Sequence, residues 1–175
     1  MAILLVEQFY DFAAELAEIL ADGEAEVSAF WVDAETGVAC KCRPDWVHTL
    51  PDGRAVLVDL KTTKDASPDG FSKQMANLGY HIQAAHYSTG WTAATGQEVA
   101  AFIFAAVENE PPYAAMAYRL GDVSKFEGLA ECRRLIDLYA ECKAANRWPG
   151  YGDAVQTIDV PDWALNKTEV EISYA

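Results

Sequence analysis

Two short segments hold the residues best suited to chemistry: Arg43-Pro44-Asp45, and Val56-Leu57-Val58-Asp59-Leu60-Lys61. Each reads as part of a strand, and Pro51-Asp52-Gly53 between them reads as a turn. Asp59 and Lys61 are two apart and so point to the same side of a strand. Folding the chain back about Asp52 sets Asp45 opposite Asp59. Directly opposed side chains of an antiparallel pair have Cβ atoms about 4.5–5.5 Å apart, where like charges repel. Such a pair calls for a cation between the two acids. A hard divalent ion suits it, because Mg²⁺ takes oxygen ligands from one or two carboxylates and water. Lys61 alongside suits an anionic substrate or an activated water. The plain alternative is a surface ion pair between Asp59 and Lys61, worth about 0–1 kcal/mol.

The surrounding pattern supplies the elements that must hold these groups. Phe9, Phe12, Ala13, Leu16, Ile19 and Leu20 recur at helical spacing, predicting a helix over 7–21 that Asp22-Gly23 stops. Strands are expected over 26–32, 38–47 and 55–62, forming a three-strand meander. Pro44 cannot donate to a ladder, which predicts an edge position or a bulge just before Asp45. A polar loop over 62–70 is followed by helices over 71–78 and 80–93, with Gly79 between them. The apolar run 98–107 predicts a buried strand, and 113–120 pairs back on it. Ser124-Lys125-Phe126-Glu127 has the capping-box pattern, predicting a helix to about Asn146 with Phe126, Leu129, Ile136 and Tyr139 inward. The tail from Trp148 reads as an irregular wrap with a short helix after Pro161. Helix, strands, helices, strands, helix in that order predict one α/β domain over 1–175, a mixed central β-sheet flanked by α-helices.

Composition bounds the function. The chain has 175 residues, 51% hydrophobic, which fits one domain with a packed core. No apolar run reaches the ~18–20 residues of a membrane span, and the short apolar start lacks a basic flank, so a cytoplasmic protein without membrane contact is expected. With 27 acidic and 13 basic residues the formal charge is −14. That argues against broad coating of nucleic acid, although a local basic patch and a bound metal can reverse the field near a site. Cys40, Cys42, Cys132 and Cys142 contain no C-x-x-C pair and read as free thiols. His48, His81 and His86 lack metal-ligand spacing. Trp31, Trp46, Trp91 and Trp148 read as packing residues rather than base-stacking platforms.

Asp45 followed by Asp59-Leu60-Lys61 resembles the PD-(D/E)xK pattern of restriction-endonuclease-like nucleases. Gln83-Ala84-Ala85-His86-Tyr87 resembles the Q-x-x-x-Y element of the exonuclease branch. Longer phrases, among them Glu26-Val27-Ser28, Cys42-Arg43-Pro44-Asp45, Val58-Asp59-Leu60-Lys61-Thr62-Thr63 and Trp148-Pro149-Gly150-Tyr151, are similar to the RecE-like (exodeoxyribonuclease VIII) nucleases of phages and bacteria. The resemblance implies a restriction-endonuclease-like core and a Mg²⁺- or Mn²⁺-dependent deoxyribonuclease, most simply a 5′→3′ exonuclease on double-stranded DNA ends in phage-type recombination. It implies metal ligation by Asp45, Asp59, the Leu60 carbonyl and Glu26, and a catalytic role for Lys61. Gln83 and Tyr87, on one helix face, would sit by the active site. It implies a bacterial or phage-infected cell, a homo-oligomer, and a single-strand annealing protein as partner. Lys41, Arg43, Lys64 and Lys73 would form a basic arc for DNA. The alternatives are a solvated Glu26, a structural Arg43, and Gln83 and Tyr87 as a polar helix edge and a core aromatic.

The chain departs from the family in one respect. Family members carry an upstream helical stretch with a histidine that reaches the metal, and no histidine here precedes His48. The chain thus looks N-terminally shortened. The site would then bind metal through Asp45, Asp59, Leu60 and Glu26 alone, or Glu7, Asp11 or Glu15 would substitute, or metal affinity would be low and the fold would serve as a non-catalytic interaction or regulatory protein.

Overall fold

The computed structural model describes residues 16–152 and 154–165. Its organising element is strand β5 (Ala55–Thr63), in which Ala55 to Asp59 are all buried. A continuous apolar run of this kind suits a strand covered on both faces. On one side β5 pairs antiparallel with β4 (Trp46–Thr49), and on the other it pairs parallel with β6 (Val99–Glu108). Strands β1 (Glu24–Ala25) and β7 (Ala115–Arg119) complete a mixed sheet of order β1-β4-β5-β6-β7.

The period of two along β5 sorts its side chains between two cores. Val56 and Val58 join Ile103 and Ile19, the latter from a helix, α1, described over 16–21. Ala55 and Leu57 face the other way, into a core with Phe102, Phe104, Phe71, Ala84 and Trp91. The last three come from helices α2 (Pro68–Leu78) and α3 (Tyr80–Thr95), which connect β5 to β6. Asp59 and Lys61 continue the odd-numbered series, so they emerge beneath α3.

The meander expected from the sequence does not form as one sheet. β2 (Ala29–Val32) and β3 (Ala39–Cys42) make a separate two-stranded ribbon, with Phe30 opposite Lys41. The expected strand over 38–47 is interrupted at 43–45, where the chain leaves the ribbon and enters the main sheet as β4. Pro44 lies fully buried at this break and is neither an edge residue nor a bulge. The strand expected over 26–32 likewise breaks, because Glu26 has φ +57° and its N–H donates to the Asp45 carbonyl at 3.0 Å. The ribbon packs on α3 through Trp31, whose ring lies where a Cβ on Gly90 would sit. That Cβ would come within 2.1 Å of the indole.

The long helix α4 (Asp122–Ala145) begins two residues before Ser124, and its N-cap, Gly121, makes no side-chain capping bond. Its inward face also differs from expectation. Phe126 is 70% exposed, and Leu129 and Tyr139 are exposed as well, whereas Gly128 and Cys132 are buried. α4 meets α3 through its small residues, with the Gly128 Cα against the His81 carbonyl. α2 starts at Pro68, earlier than the polar loop suggested, because the Ser67 side chain caps it by accepting from Gly70 N–H. Among the described residues the tail carries one short 3₁₀ turn, Asp162–Ala164. The first part of the helix expected over 7–21 lies outside the described residues, as do Glu7, Asp11 and Glu15. Among the described residues no helix is long and apolar enough to cross a membrane.

Candidate active site

The site is built where β4 enters the sheet, beside the C-terminal half of β5 and under α3. β4 and β5 pair with Trp46 opposite Val58, so the next step brings Asp45 alongside Asp59. Asp45 is fixed from β5 itself: its Oδ2 accepts from the Leu60 backbone N–H at 2.7 Å. Asp59 is only 4% exposed. Its Oδ1 accepts from Gln83 Nε2 at 2.6 Å, and Lys61 Nζ lies 2.5 Å from its Oδ2. Lys61 Nζ in turn donates to Gln83 Oε1 at 2.8 Å, closing a triangle of acid, amide and ammonium.

The electrostatics of this triangle are unbalanced. Burial pushes the Asp59 carboxyl above the ordinary range, and the nearby charge of Asp45 pushes the same way. The hydrogen bonds and charge of Lys61, and the Gln83 amide, oppose that rise without cancelling it. The only partner of the buried Oδ2 among the described residues is the Lys61 ammonium. Two carboxylates brought side by side are a donor set that a hard cation fits, with the Lys61 ammonium already marking one oxygen as a place for positive charge.

Glu26 does not join the two acids. Its carboxylate pairs with Arg43 Nε at 2.9 Å, and only its backbone touches the Asp45 segment. Among the described residues no three His, Cys, Asp or Glu side chains cluster as a metal site. Tyr87 lies one helical turn from Gln83 and makes no hydrogen bond to either acid. Its ring packs edge-on to Phe102, and it borders a hollow with Lys41 and Arg43. Of the other basic residues considered for DNA, Lys73 pairs with Asp69 at 2.7 Å within α2, and Lys64 and Lys41 are exposed.

One residue beside the site escaped the sequence reading. Lys61 Nζ sits over the ring of Tyr80, 4.4 Å from its centroid. The Tyr80 hydroxyl accepts from Gln74 Nε2 at 3.3 Å, and that amide also donates to the Thr62 carbonyl at 3.0 Å. Gln74 Oε1 accepts from the Thr63 hydroxyl at 2.8 Å. α2 thereby braces both β5 and the ring beneath Lys61. The available signal was spacing: Tyr80 is three residues before Gln83 and shares its helix face.

None of the curated protein sequences matches the chain. Among solved structures, a "putative exonuclease" from Eubacterium rectale superposes with a TM-score of 0.59 at 19% identity. The match covers 85% of this chain and 62% of that one, so the chain spans about three fifths of its length. An alkaline exonuclease from Laribacter hongkongensis aligns at 17% identity with a TM-score of 0.31, covering 79% of this chain and 72% of that one. The first of these shares the fold. The family model described as a PDDEXK-like domain of unknown function (DUF3799) matches residues 9–161, most of the sequence. That agrees with the motif of Asp45, Asp59 and Lys61 and with the mixed sheet that carries it: the chain belongs to the PDDEXK-like DUF3799 family.

Proposed function

We propose that the protein is a divalent-metal-dependent deoxyribonuclease, acting as a 5′→3′ exonuclease on double-stranded DNA ends. The observation that carries this reading is Asp59: a buried carboxylate beside Asp45, held by Lys61 on one oxygen and by Gln83 on the other. Asp45, Asp59 and the Leu60 carbonyl would hold Mg²⁺ or Mn²⁺, with Glu26 available once released from Arg43. Such an ion supplies Lewis acidity toward the phosphodiester and lowers the pKa of an attacking water.

The protein's own groups then have distinct tasks. The Leu60 N–H keeps Asp45 aimed at the shared space. Gln83 holds Asp59 and Lys61 at fixed separation, so neither must reorganise during the reaction. The Lys61 ammonium is placed to offset negative charge that grows on the phosphoryl oxygens as the water attacks. The exposed 3′ strand would pass to a single-strand annealing protein, and several copies of the chain would share the work of holding the duplex.

The test is degradation of end-labelled linear duplex in Mg²⁺, Mn²⁺ and EDTA, with covalently closed plasmid alongside. The wild type should release label only with metal and spare the closed circle. Asp59→Asn should reduce the rate by at least a thousandfold with little change in melting temperature; a variant retaining wild-type activity contradicts the site. A second reading, a non-catalytic regulatory protein on a nuclease scaffold, draws support from the net charge of −14 and from the pairing of Glu26 with Arg43. Calorimetric titration with Mn²⁺ separates the two, since the scaffold reading expects no binding at millimolar metal.

A further inference from the structure

A hollow of about 350 Å³ opens between the ribbon and α3, lined by Ser28, Phe30, Lys41, Cys42, Arg43 and Tyr87. Its composition differs from that of the core. Phe30 is 69% exposed, although it stands in a strand whose alternate residues, Ala29 and Trp31, turn inward onto α3. An exposed aromatic on a ribbon that already has a buried face contributes nothing to that face. Lys41 lies directly opposite Phe30 in the β2–β3 register and shares its outward side. Arg43 and Tyr87 line the same hollow. Arg43 is two residues before Asp45, and Tyr87 is one helical turn after Gln83, so two of its lining residues are near neighbours in the chain of the proposed reaction centre.

We infer that this hollow is a nucleotide subsite, in which Phe30 stacks on an unpaired base and Lys41 and Arg43 hold the adjoining phosphate. The inference rests on the nuclease reading and narrows its substrate to DNA ends carrying an unpaired nucleotide. Its physical basis is the pairing of a free aromatic face with two cations. Every base has a π-face that such a ring can cover, and the cations meet the backbone whatever the sequence. A base inside a duplex is stacked on both faces, and the last pair of a blunt end opens a single face fixed along the helix axis. An unpaired nucleotide can instead turn its base onto Phe30 while its phosphate meets Lys41 and Arg43, so blunt ends gain less from the subsite than frayed ends. Arg43 reaches phosphate by exchanging its partner Glu26 for the stronger charge of the nucleic acid.

The experiment measures anisotropy of fluorescein-labelled duplexes, one blunt and one ending in three unpaired nucleotides, in Ca²⁺ with the full chain. Wild type should bind the frayed end more tightly than the blunt one. Phe30→Ala should weaken frayed-end binding by about tenfold and largely erase that preference, Phe30→Trp should keep it, and Phe126→Ala, an exposed aromatic on α4, should leave it unchanged. Frayed-end affinity unaltered in Phe30→Ala, or no end preference in wild type, overturns the inference. Hydrolysis in Mg²⁺ is read in parallel: a Phe30-dependent preference without any hydrolysis sustains the subsite while removing the nuclease reading.

Discussion

Lys61 shows how much of this site depends on neighbours that do no chemistry. Its ammonium is held by a carboxylate, an amide oxygen and an aromatic face together. A cation over a tyrosine ring gains about 0.5–2 kcal/mol, depending on desolvation. Replacing Tyr80 by Leu should therefore lower kcat by about 2- to 30-fold with KM for DNA nearly unchanged, since the carboxylates remain. Tyr80→Phe keeps the ring and loses only the Gln74 hydrogen bond, so its kcat should stay close to wild type. Equal losses in both variants would mean that the hydroxyl, not the ring face, matters. The residues that define the site were legible because strand spacing is rigid: Asp59 and Lys61 had to share a side, and Asp45 had to lie near Asp59 once the turn was placed. Gln83 came from resemblance alone. Tyr80 stayed hidden because an aromatic at a helix start reads as core, and part of its ring does pack on Phe71 and Phe104.

The elements are kept in place by a few contacts that hydropathy does not signal. α4 approaches α3 so closely that a Cβ on Gly128 would lie 2.3 Å from the His81 carbonyl oxygen. A backbone atom cannot step aside as a side-chain tip can, so Gly128→Ala should cost about 1–3 kcal/mol in urea denaturation. Because His81 is two residues from Gln83, activity should fall with it. The inward face of α4 differs from expectation for the same reason: a glycine and a cysteine are its buried residues, while Phe126, Leu129 and Tyr139 are exposed and Ile136 is half-buried. Pro44 misled similarly, since its buried position ends one strand and starts another. Arg133 ties α4 to the ribbon turn, donating to Asp33 Oδ1 at 2.9 Å and Oδ2 at 3.1 Å. These bonds, with that from the Thr36 hydroxyl, hold the Asp33 carboxyl well below the usual carboxylate range. A depressed folded-state pKa gives stability that is complete above the unfolded value, about 3.9, and is lost as pH falls through the folded one. Asp33→Asn should thus destabilise by about 1–2 kcal/mol at pH 7, and the gap in melting temperature should narrow as pH falls below about 4. A gap equally wide at pH 3 and pH 7 would assign the loss to packing.

Across the whole molecule the unresolved tension is charge, because a chain of net −14 is proposed to work on a polyanion. The sequence displayed that tension, but composition cannot say where the few cations stand. The fold gathers Lys41 and Arg43 around the hollow and leaves Lys64 just past the end of β5. Lys73 and Arg43 are already paired with carboxylates. These four are the cations proposed to meet the duplex outside the reaction centre, and two of them must first give up partners. Each phosphate neutralised on B-DNA contributes about −0.9 to the slope of log K against log salt. A single protomer should consequently show a slope no steeper than about −4, and Lys41→Gln should reduce it by about one. A markedly steeper slope at saturating protein would mean that several copies surround one duplex and pool their cations, each supplying a narrow basic arc while its acidic exterior faces away. Anisotropy titrations from 50 to 300 mM salt, read beside the molecular mass in solution, decide between these two arrangements.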